Sequence, residues 1–424
     1  MSCGYYPVIL WQALEPIFLT GVHINLICLR PSCWADQLQR DANLAHLSGL
    51  CYLPPPQLQP KLETLGLTLV AEGRTHFTRW YVADRIPGSP GGEAVTPSAA
   101  GAAPDSAATG QALPTARSSG GGAAAATSEW AAAGAVRNGS SRTVAQAAPP
   151  QPGRYVFMRG VSWSSAGSDR TKLWSDLVRC WPTPFQEQFT RPAGALVAHS
   201  GVAEMATDLW QDLEAFIARA PGDVHFAGHS LGGSLSLLLT VMSHLRLGMP
   251  GQRMTATTFG SPPVLSLRRG EDGDAILEAL GMAPSSVRNY VLDNDPVPRA
   301  LLSVDPTFEA LKAWMPVKSL LELRERLLGP GAVLSTSRFL YHTVGPVYLI
   351  RWLGQEGGGH SVLPLSGDQI QEHLKLDVEA LRAQPMRLAQ ALMDHHHGSY
   401  AQELRAAAAS LARRSQQQQQ AAYP

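Results

Sequence analysis

Apolar residues between Ala35 and Cys51 recur at helical spacing, as Leu38, Ala42, Leu44, Leu47 and Leu50, and Pro54-Pro55-Pro56 stops the run. That spacing predicts a helix. Two strand-like runs follow, Leu65 to Val70 and His76 to Val82. From about Ile86 to Pro152 the pattern disappears into Ala, Gly, Ser, Thr and Pro, with too few large apolar side chains to offset the entropy of ordering the chain. Patterning resumes with a strand at Arg154 to Arg159, broken by Gly160, and a helix from Val202 to Ala218 with Met205, Leu209, Leu213, Phe216 and Ile217 on one face. Asp223 to Ala227 reads as a strand. Ser234 to Leu247 reads as a helix apolar on most sides, ended by Gly248 and Pro250. Further strands are predicted at Met254 to Phe259, Val287 to Leu292 and Val344 to Trp352, with helices at Phe308 to Leu328 and His373 to Met393. Strands alternating with helices, one of them apolar on most sides, imply an α/β fold with a mostly parallel sheet flanked by helices.

Composition divides this pattern into regions. Residues 1–33 form an N-terminal segment with a targeting role among its readings, and 34–85 supply a helix and strands that pack on the main domain. Residues 86–152 are expected to be a disordered Ala/Gly/Ser/Pro-rich insertion, 153–405 the main α/β domain and 406–424 a frayed, disordered Ala/Gln-rich tail. The apolar run at 5–29 is interrupted by Gln12, Glu15, Pro16, His23 and Asn25, whereas a spanning helix needs about 20 mostly apolar residues. Organelle targeting stays open there because acidic residues are scarce, although an Arg- and Ser-rich composition is missing. The Phe308 to Leu328 helix could serve as a lid or a membrane-contacting surface, or simply as core.

The chemistry lies where the Asp223 strand meets the Ser234 helix. Gly228-His229-Ser230-Leu231-Gly232 fits G-x-S-x-G at a strand–turn–helix junction, the context in which that pentapeptide means a nucleophile elbow. Ser230 would stand at the apex of a strained turn, and the Leu231 amide would face a developing oxyanion at the helix N-terminus. The loop after the strand that ends before Gly160 is the natural source of the second oxyanion donor. Catalytic groups in open α/β sheets gather at the carboxyl ends of strands, so Asp293 and Asp295, after Val287 to Leu292, are the candidate acids. The six histidines after Asp295 are His342, His360, His373, His395, His396 and His397. His342 precedes a strand, His360 sits in a Gly-rich loop and His373 lies in a helical pattern, which leaves the three in a row as candidate bases. Adjacent residues point in different directions and make poor joint ligands, which argues against a metal site in that run.

Charge narrows the partners. With 34 basic and 34 acidic residues the formal net charge is zero, which gives no footprint for nucleic acid. Five cysteines without zinc-ligand spacing fit a reducing compartment.

Several motifs together resemble class 3 lipases, an α/β-hydrolase family, and among them the plant and algal plastid lipases. They are F-x-G-H-S-L-G-G around Ser230, T-F-G-S-P at Thr258 to Pro262, D-x-V-P-R at Asp295 to Arg299 and D-H-x-x-x-S-Y at Asp394 to Tyr400. The likeness runs from about Tyr155 to Leu404 and extends weakly to L-S-G-L-C-Y-L at Leu47 to Leu53. The resemblance implies Ser230 as nucleophile, Asp295 as acid, His395 as base and Leu231 as an oxyanion donor. It departs at the second donor: the family has a hydroxyl residue straight after the glycine, whereas Gly160 is followed by Val161, so the Val161 amide would act alone unless Ser162 or Ser168 supplies the hydroxyl. The implied activity is hydrolysis of acylglycerols or membrane glycerolipids, such as a plastid phospholipid or galactolipid, to free fatty acid at a membrane or lipid-droplet surface. Peripheral membrane association, a chloroplast location and no metal or organic cofactor go with it. An esterase for small soluble esters, or an inactive lipid-binding protein, remain as other readings.

Overall fold

The computed structural model describes residues 31–75, 78–87, 153–160, 182–184, 196–250, 253–267, 273–300, 341–353, 359–365 and 385–422. The chain divides into one unit of residues 1–99 with 150–424 and a second of 100–149, and the second lies outside the described residues. So do the N-terminal apolar run, the insertion from residue 88 onward, the Phe308 to Leu328 helix and His373.

In chain order the elements are helix α1 (Pro31–Leu50), helix α2 (Leu58–Thr64), strands β1 (Leu67–Thr75), β2 (Thr78–Arg85), β3 (Gly153–Met158), β4 (Pro182–Pro184) and β5 (Leu196–His199), helix α3 (Ser200–Ala218), strand β6 (Asp223–His229) and helix α4 (Leu231–Leu247). Then come β7 (Met254–Phe259), β8 (Leu265–Leu267), α5 (Gly273–Ala279), β9 (Val287–Leu292), the one-turn α6 (Val297–Ala300), β10 (Val347–Trp352), β11 (His360–Leu365), α7 (Pro385–Asp394) and α8 (His397–Ala422).

Eight strands make the main sheet, in the order β1-β2-β3-β6-β7-β9-β10-β11. The five from β3 to β10 run parallel to their neighbours, while β1, β2 and β11 pair antiparallel at the two edges. This is the α/β-hydrolase type of sheet. A small antiparallel sheet joins β4, β5 and β8.

Side-chain alternation along the strands builds two cores. Val156 and Met158 on β3, with Trp80 and Val82 on β2, face α3 and α4 through Leu209, Leu213, Leu235 and Leu238. Tyr155, Phe157, Tyr81 and Ala83 face the opposite side and pack with Leu38, Leu47 and Leu50 of α1 and Tyr400, Leu404 and Ala408 of α8. Both faces of the central strands β3, β6, β7 and β9 are buried between these layers.

Three sequence readings change here. Residues 406–422, expected to fray, continue helix α8, because an Ala-, Leu- and Gln-rich run has high helix propensity and Ala401, Leu404, Ala407 and Ala408 give it a buried face. His360 opens strand β11, paired with Trp352, rather than lying in a loop. Helix α4 starts at Leu231 instead of Ser234, since Gly232 and Gly233 let its first turn pack closely against Met158 and Thr258 and do not act as a break.

Helix α1 is fastened to the sheet by a buried polar cluster. Asp41, fully buried, accepts from Arg288 Nη2 on β9 at 3.1 Å, from the Tyr290 hydroxyl at 2.6 Å and from Gln37 Nε2 at 2.8 Å. A charge in that position is tolerable because its partners are charged or donating.

Candidate active site

Parallel strands bring their carboxyl ends to one edge of the sheet, and the site residues gather there. At the end of β6, Ser230 has φ 58° and ψ −133° and is the only non-glycine at positive φ among the described residues. That strain is held by contacts that leave no room for side chains: a β-carbon on Gly228 would lie 2.2 Å from the Gly232 carbonyl oxygen, and one on Gly232 would lie 2.4 Å from the carbonyl oxygen of Met158. The Ser230 amide donates to Phe259 O on the neighbouring strand at 2.9 Å, and Gly233 N–H donates to Ser230 O at 2.9 Å. Leu231 is the first residue of α4, where the dipole and the early amides favour negative charge.

The end of β3 presses against this turn. A β-carbon on Gly160 would sit 2.7 Å from Ser230 Cβ and 3.2 Å from its Oγ, so only glycine fits beside Ser230. Val161, the expected second oxyanion residue, and the alternatives Ser162 and Ser168 lie outside the described residues.

Beyond β9, Asp295 is fully buried and Asp293 is not. Asp295 Oδ1 accepts the Val297 amide at 2.8 Å, and Oδ2 accepts the Tyr400 hydroxyl at 2.5 Å. His395, in the turn between α7 and α8, donates from Nδ1 to both carboxylate oxygens at 3.0 Å and accepts the Ser230 hydroxyl at Nε2, also at 3.0 Å. With Nδ1 facing a carboxylate, its proton belongs there and Nε2 is left as the acceptor. Ser230, His395 and Asp295 thus form a continuous chain from a buried acid to a histidine whose side chain is 22% exposed. Asp293 instead pairs with Arg351 Nε at 2.8 Å, with its side chain 42% exposed.

Of the other histidines, His342 makes an isolated bridge with Leu265, and His360 pairs with Glu403 on α8. His396 and His397 lie against each other with ring centroids 4.1 Å apart, while Asp295 and Ser230 both bond to His395. Burial, reinforced by His396, pushes His397 down to about 4. Among the described residues no group of three or more His, Cys, Asp or Glu side chains is arranged to hold a metal ion.

Several residues with a place in this arrangement carry no signal of it in the sequence. Asp394 Oδ2 accepts both the backbone N–H and the side-chain amide of Asn294, at 3.1 and 3.0 Å, which ties the histidine turn to the acid turn. His229, buried beside Ser230, donates from Nε2 to the His395 carbonyl oxygen at 2.8 Å. Burial, and next the charge a protonated His395 would carry, hold His229 well below the ordinary imidazole range, so its ring is neutral. Tyr400 belongs to the D-H-x-x-x-S-Y motif, but nothing local in the sequence places its hydroxyl on the carboxylate.

Residues 160–304 match the family described as Lipase (class 3). That span contains Ser230 and Asp295 but neither His395 nor helix α1. A plant relative named phospholipase A1 PLIP2, chloroplastic, from Arabidopsis thaliana is 29% identical over 205 residues, which is 47% of this chain and 26% of that protein. Phospholipase A1 PLIP1, chloroplastic, from the same plant is 29% identical over 209 residues, 47% of this chain and 29% of that protein. The chain therefore aligns with less than a third of the length of these curated relatives. Among solved structures, the nonglycosylated LIP2 lipase of Yarrowia lipolytica aligns with a TM-score of 0.39 and 14% identity, covering 78% of this chain and 84% of that one. The fold assignment rests on the strand order and the turn at Ser230. In sequence the chain resembles class 3 lipases, with plastid phospholipases A1 among its relatives.

Proposed function

We propose that this protein is a serine acyl hydrolase that cleaves carboxylic esters of acylglycerols or membrane glycerolipids, in the manner of a lipase or phospholipase A1. The observation that carries the reading is the unbroken link from Ser230 Oγ through His395 to the buried Asp295, both steps at 3.0 Å. In the first half-reaction Ser230 Oγ attacks the ester carbonyl carbon while its proton passes to His395 Nε2. The carbonyl electron pair moves onto oxygen, where the amides of Leu231 and of residue 161 receive it. Collapse breaks the bond to the alcohol oxygen, which leaves with the proton from His395, and the acyl group stays on Ser230. Water then attacks the acyl carbon, gives its proton to His395 and restores Ser230 as the fatty acid departs. Asp295 keeps the imidazole in one tautomer and stabilises its charged form. No step calls for a cofactor.

Lipid as substrate is supported by the class 3 lipase match and by the names of the plant relatives. Leu392 and Met393, 63% and 61% exposed and only a few residues before His395, give an apolar edge for peripheral contact with a lipid surface. Among the described residues no helix is long and apolar enough to cross a membrane. A plastid location goes with the chloroplastic relatives and is checked with a fluorescent fusion. The activity itself is tested by incubating wild type and Ser230→Ala with mixed phospholipid, galactolipid and triacylglycerol and profiling the products. Fatty acid with matching lyso- or partial glycerides, from wild type alone, is the expected result. Hydrolysis confined to soluble short-chain esters, with no rise above the micellar threshold, would support the small-ester reading, and no release from any ester would overturn the proposal.

A further inference from the structure

The turn that ends helix α1 lies far outside the span matched to the lipase family, yet it reaches the site. Tyr52 lies just past α1, its amide closing the helix end on Gly49 O at 3.1 Å, and Arg79 Nη1 on β2 holds the same turn through Leu53 O at 2.8 Å. From there the Tyr52 side chain meets three residues that border the proposed machinery. Its hydroxyl lies 3.2 Å from His229 Nδ1, its ring stacks on His397 at 4.4 Å and 13°, and the Gly160 backbone amide faces its oxygen. The guanidinium carbon of Arg159, next to Gly160, sits 5.8 Å from the centre of the same ring.

The placement of protons gives these contacts a direction. His229 Nε2 faces the His395 carbonyl oxygen, which can only accept, so Nε2 carries the proton and Nδ1 of the neutral ring is bare. The Tyr52 hydroxyl must then donate to Nδ1, leaving its oxygen to accept from Gly160. One chain of donors runs from the end of β3, through Tyr52 and His229, to the backbone of the base.

We infer that Tyr52, acting through His229, is a positioning residue that fixes the Gly160 strand end and the His395 turn in a single register around Ser230. The inference rests on the proposed hydrolase reading. Without the hydroxyl, the Gly160 amide and His229 Nδ1 would both lose a buried partner, and each would be free to tilt the element it belongs to. Gly160 touches Ser230 and leads into the expected oxyanion residue, so a tilt there changes the transition state more than substrate binding.

Tyr52→Phe keeps the ring stacked on His397 and removes only the hydroxyl. The expected result is a fall in kcat of about 10- to 100-fold with KM within about twofold, and a parallel fall in the rate of fluorophosphonate labelling at Ser230. His229→Gln, measured in the same way, should lower kcat similarly, and the double variant should lose no more than the worse single one, because the two residues act as one chain. It also carries the test if Tyr52→Phe does not fold. Folded variants with wild-type kcat and labelling, or losses that multiply in the double variant, overturn the inference. Lower melting temperature with unchanged kcat also overturns it, since that is the signature of packing alone. If wild-type Ser230 takes no phosphonate, the hydrolase reading fails and the inference falls with it, whereas labelled wild type with an equally labelled Tyr52→Phe removes the inference only.

Discussion

Asp295→Asn changes one oxygen to an amide nitrogen without changing shape, and the surrounding donors determine its effect. Oδ1 receives the Val297 amide and Oδ2 receives the Tyr400 hydroxyl, while His395 Nδ1 lies 3.0 Å from both. The asparagine carbonyl must take the Oδ1 position, because an amide NH2 there would face the fixed N–H of Val297. Its NH2 therefore points toward Tyr400 and His395 Nδ1. Tyrosine can rotate its hydroxyl to accept, but the imidazole can accept only by moving its proton to Nε2. That proton then faces Ser230 Oγ, and the base is lost although every atom stays near its place. The tautomer reversal is expected to lower kcat by about 10⁴, or about 5 kcal/mol in the barrier, as for triad acids in general. Asp293→Asn removes a half-exposed pair with Arg351 and is expected to change turnover by less than about threefold. Initial rates on a chromogenic ester, with circular dichroism to confirm folding, measure both. An Asp295→Asn enzyme with more than about a tenth of wild-type turnover, or a larger loss for Asp293→Asn, would refute the reasoning.

Burial and charge set further expectations. Asp41→Asn leaves the buried Arg288 cation without its carboxylate and should cost about 3–5 kcal/mol of stability, seen as a lower denaturant midpoint with an unchanged slope. His225, held down to about 3 chiefly by burial and then by Arg288 and Arg85, stays neutral in the fold while the unfolded chain binds its proton below about pH 6.5. Its contribution is complete above that pH and is lost as pH falls toward 3, at about 1.4 kcal/mol per unit, so denaturant titrations should show a shallower acid slope in His225→Gln. Charge insertion into the apolar edge, Leu392→Glu with Met393→Glu, should weaken co-sedimentation with anionic lipid vesicles at least severalfold while leaving hydrolysis of a soluble ester near wild type. Equal vesicle binding would exclude that surface as the lipid contact.

The parts of the molecule that the sequence reveals are those whose causes are local. A strand, a glycine-flanked serine and an apolar helix are contiguous, so Ser230 and its turn can be read from one short stretch. Asp295 needs the next level, the tendency of strand ends to gather at one edge, and even so the choice over Asp293 depends on burial that neighbouring sequence does not report. His395 follows Asp295 by 100 positions, and its selection from three adjacent histidines comes from resemblance rather than from periodicity. The supporting contacts lie further out of reach: Tyr52 meets His229 across 177 positions, and Arg288 meets Asp41 across 247. Nothing in the spacing of polar residues on an otherwise amphipathic helix says that Asp41 will be buried against a sheet. The C-terminal helix escapes the sequence for a related reason, since its Ala- and Gln-rich run offers few large apolar side chains to mark a buried face and its packing partner, helix α1, is distant in sequence.

That Ser230 is an activated nucleophile is tested most directly by mass spectrometry of the full chain after treatment with a fluorophosphonate. A single adduct per chain is expected, carried by the peptide containing Ser230, absent in Ser230→Ala and formed far more slowly in His395→Ala. An intact mass without an adduct, or an adduct that persists in Ser230→Ala, would contradict it.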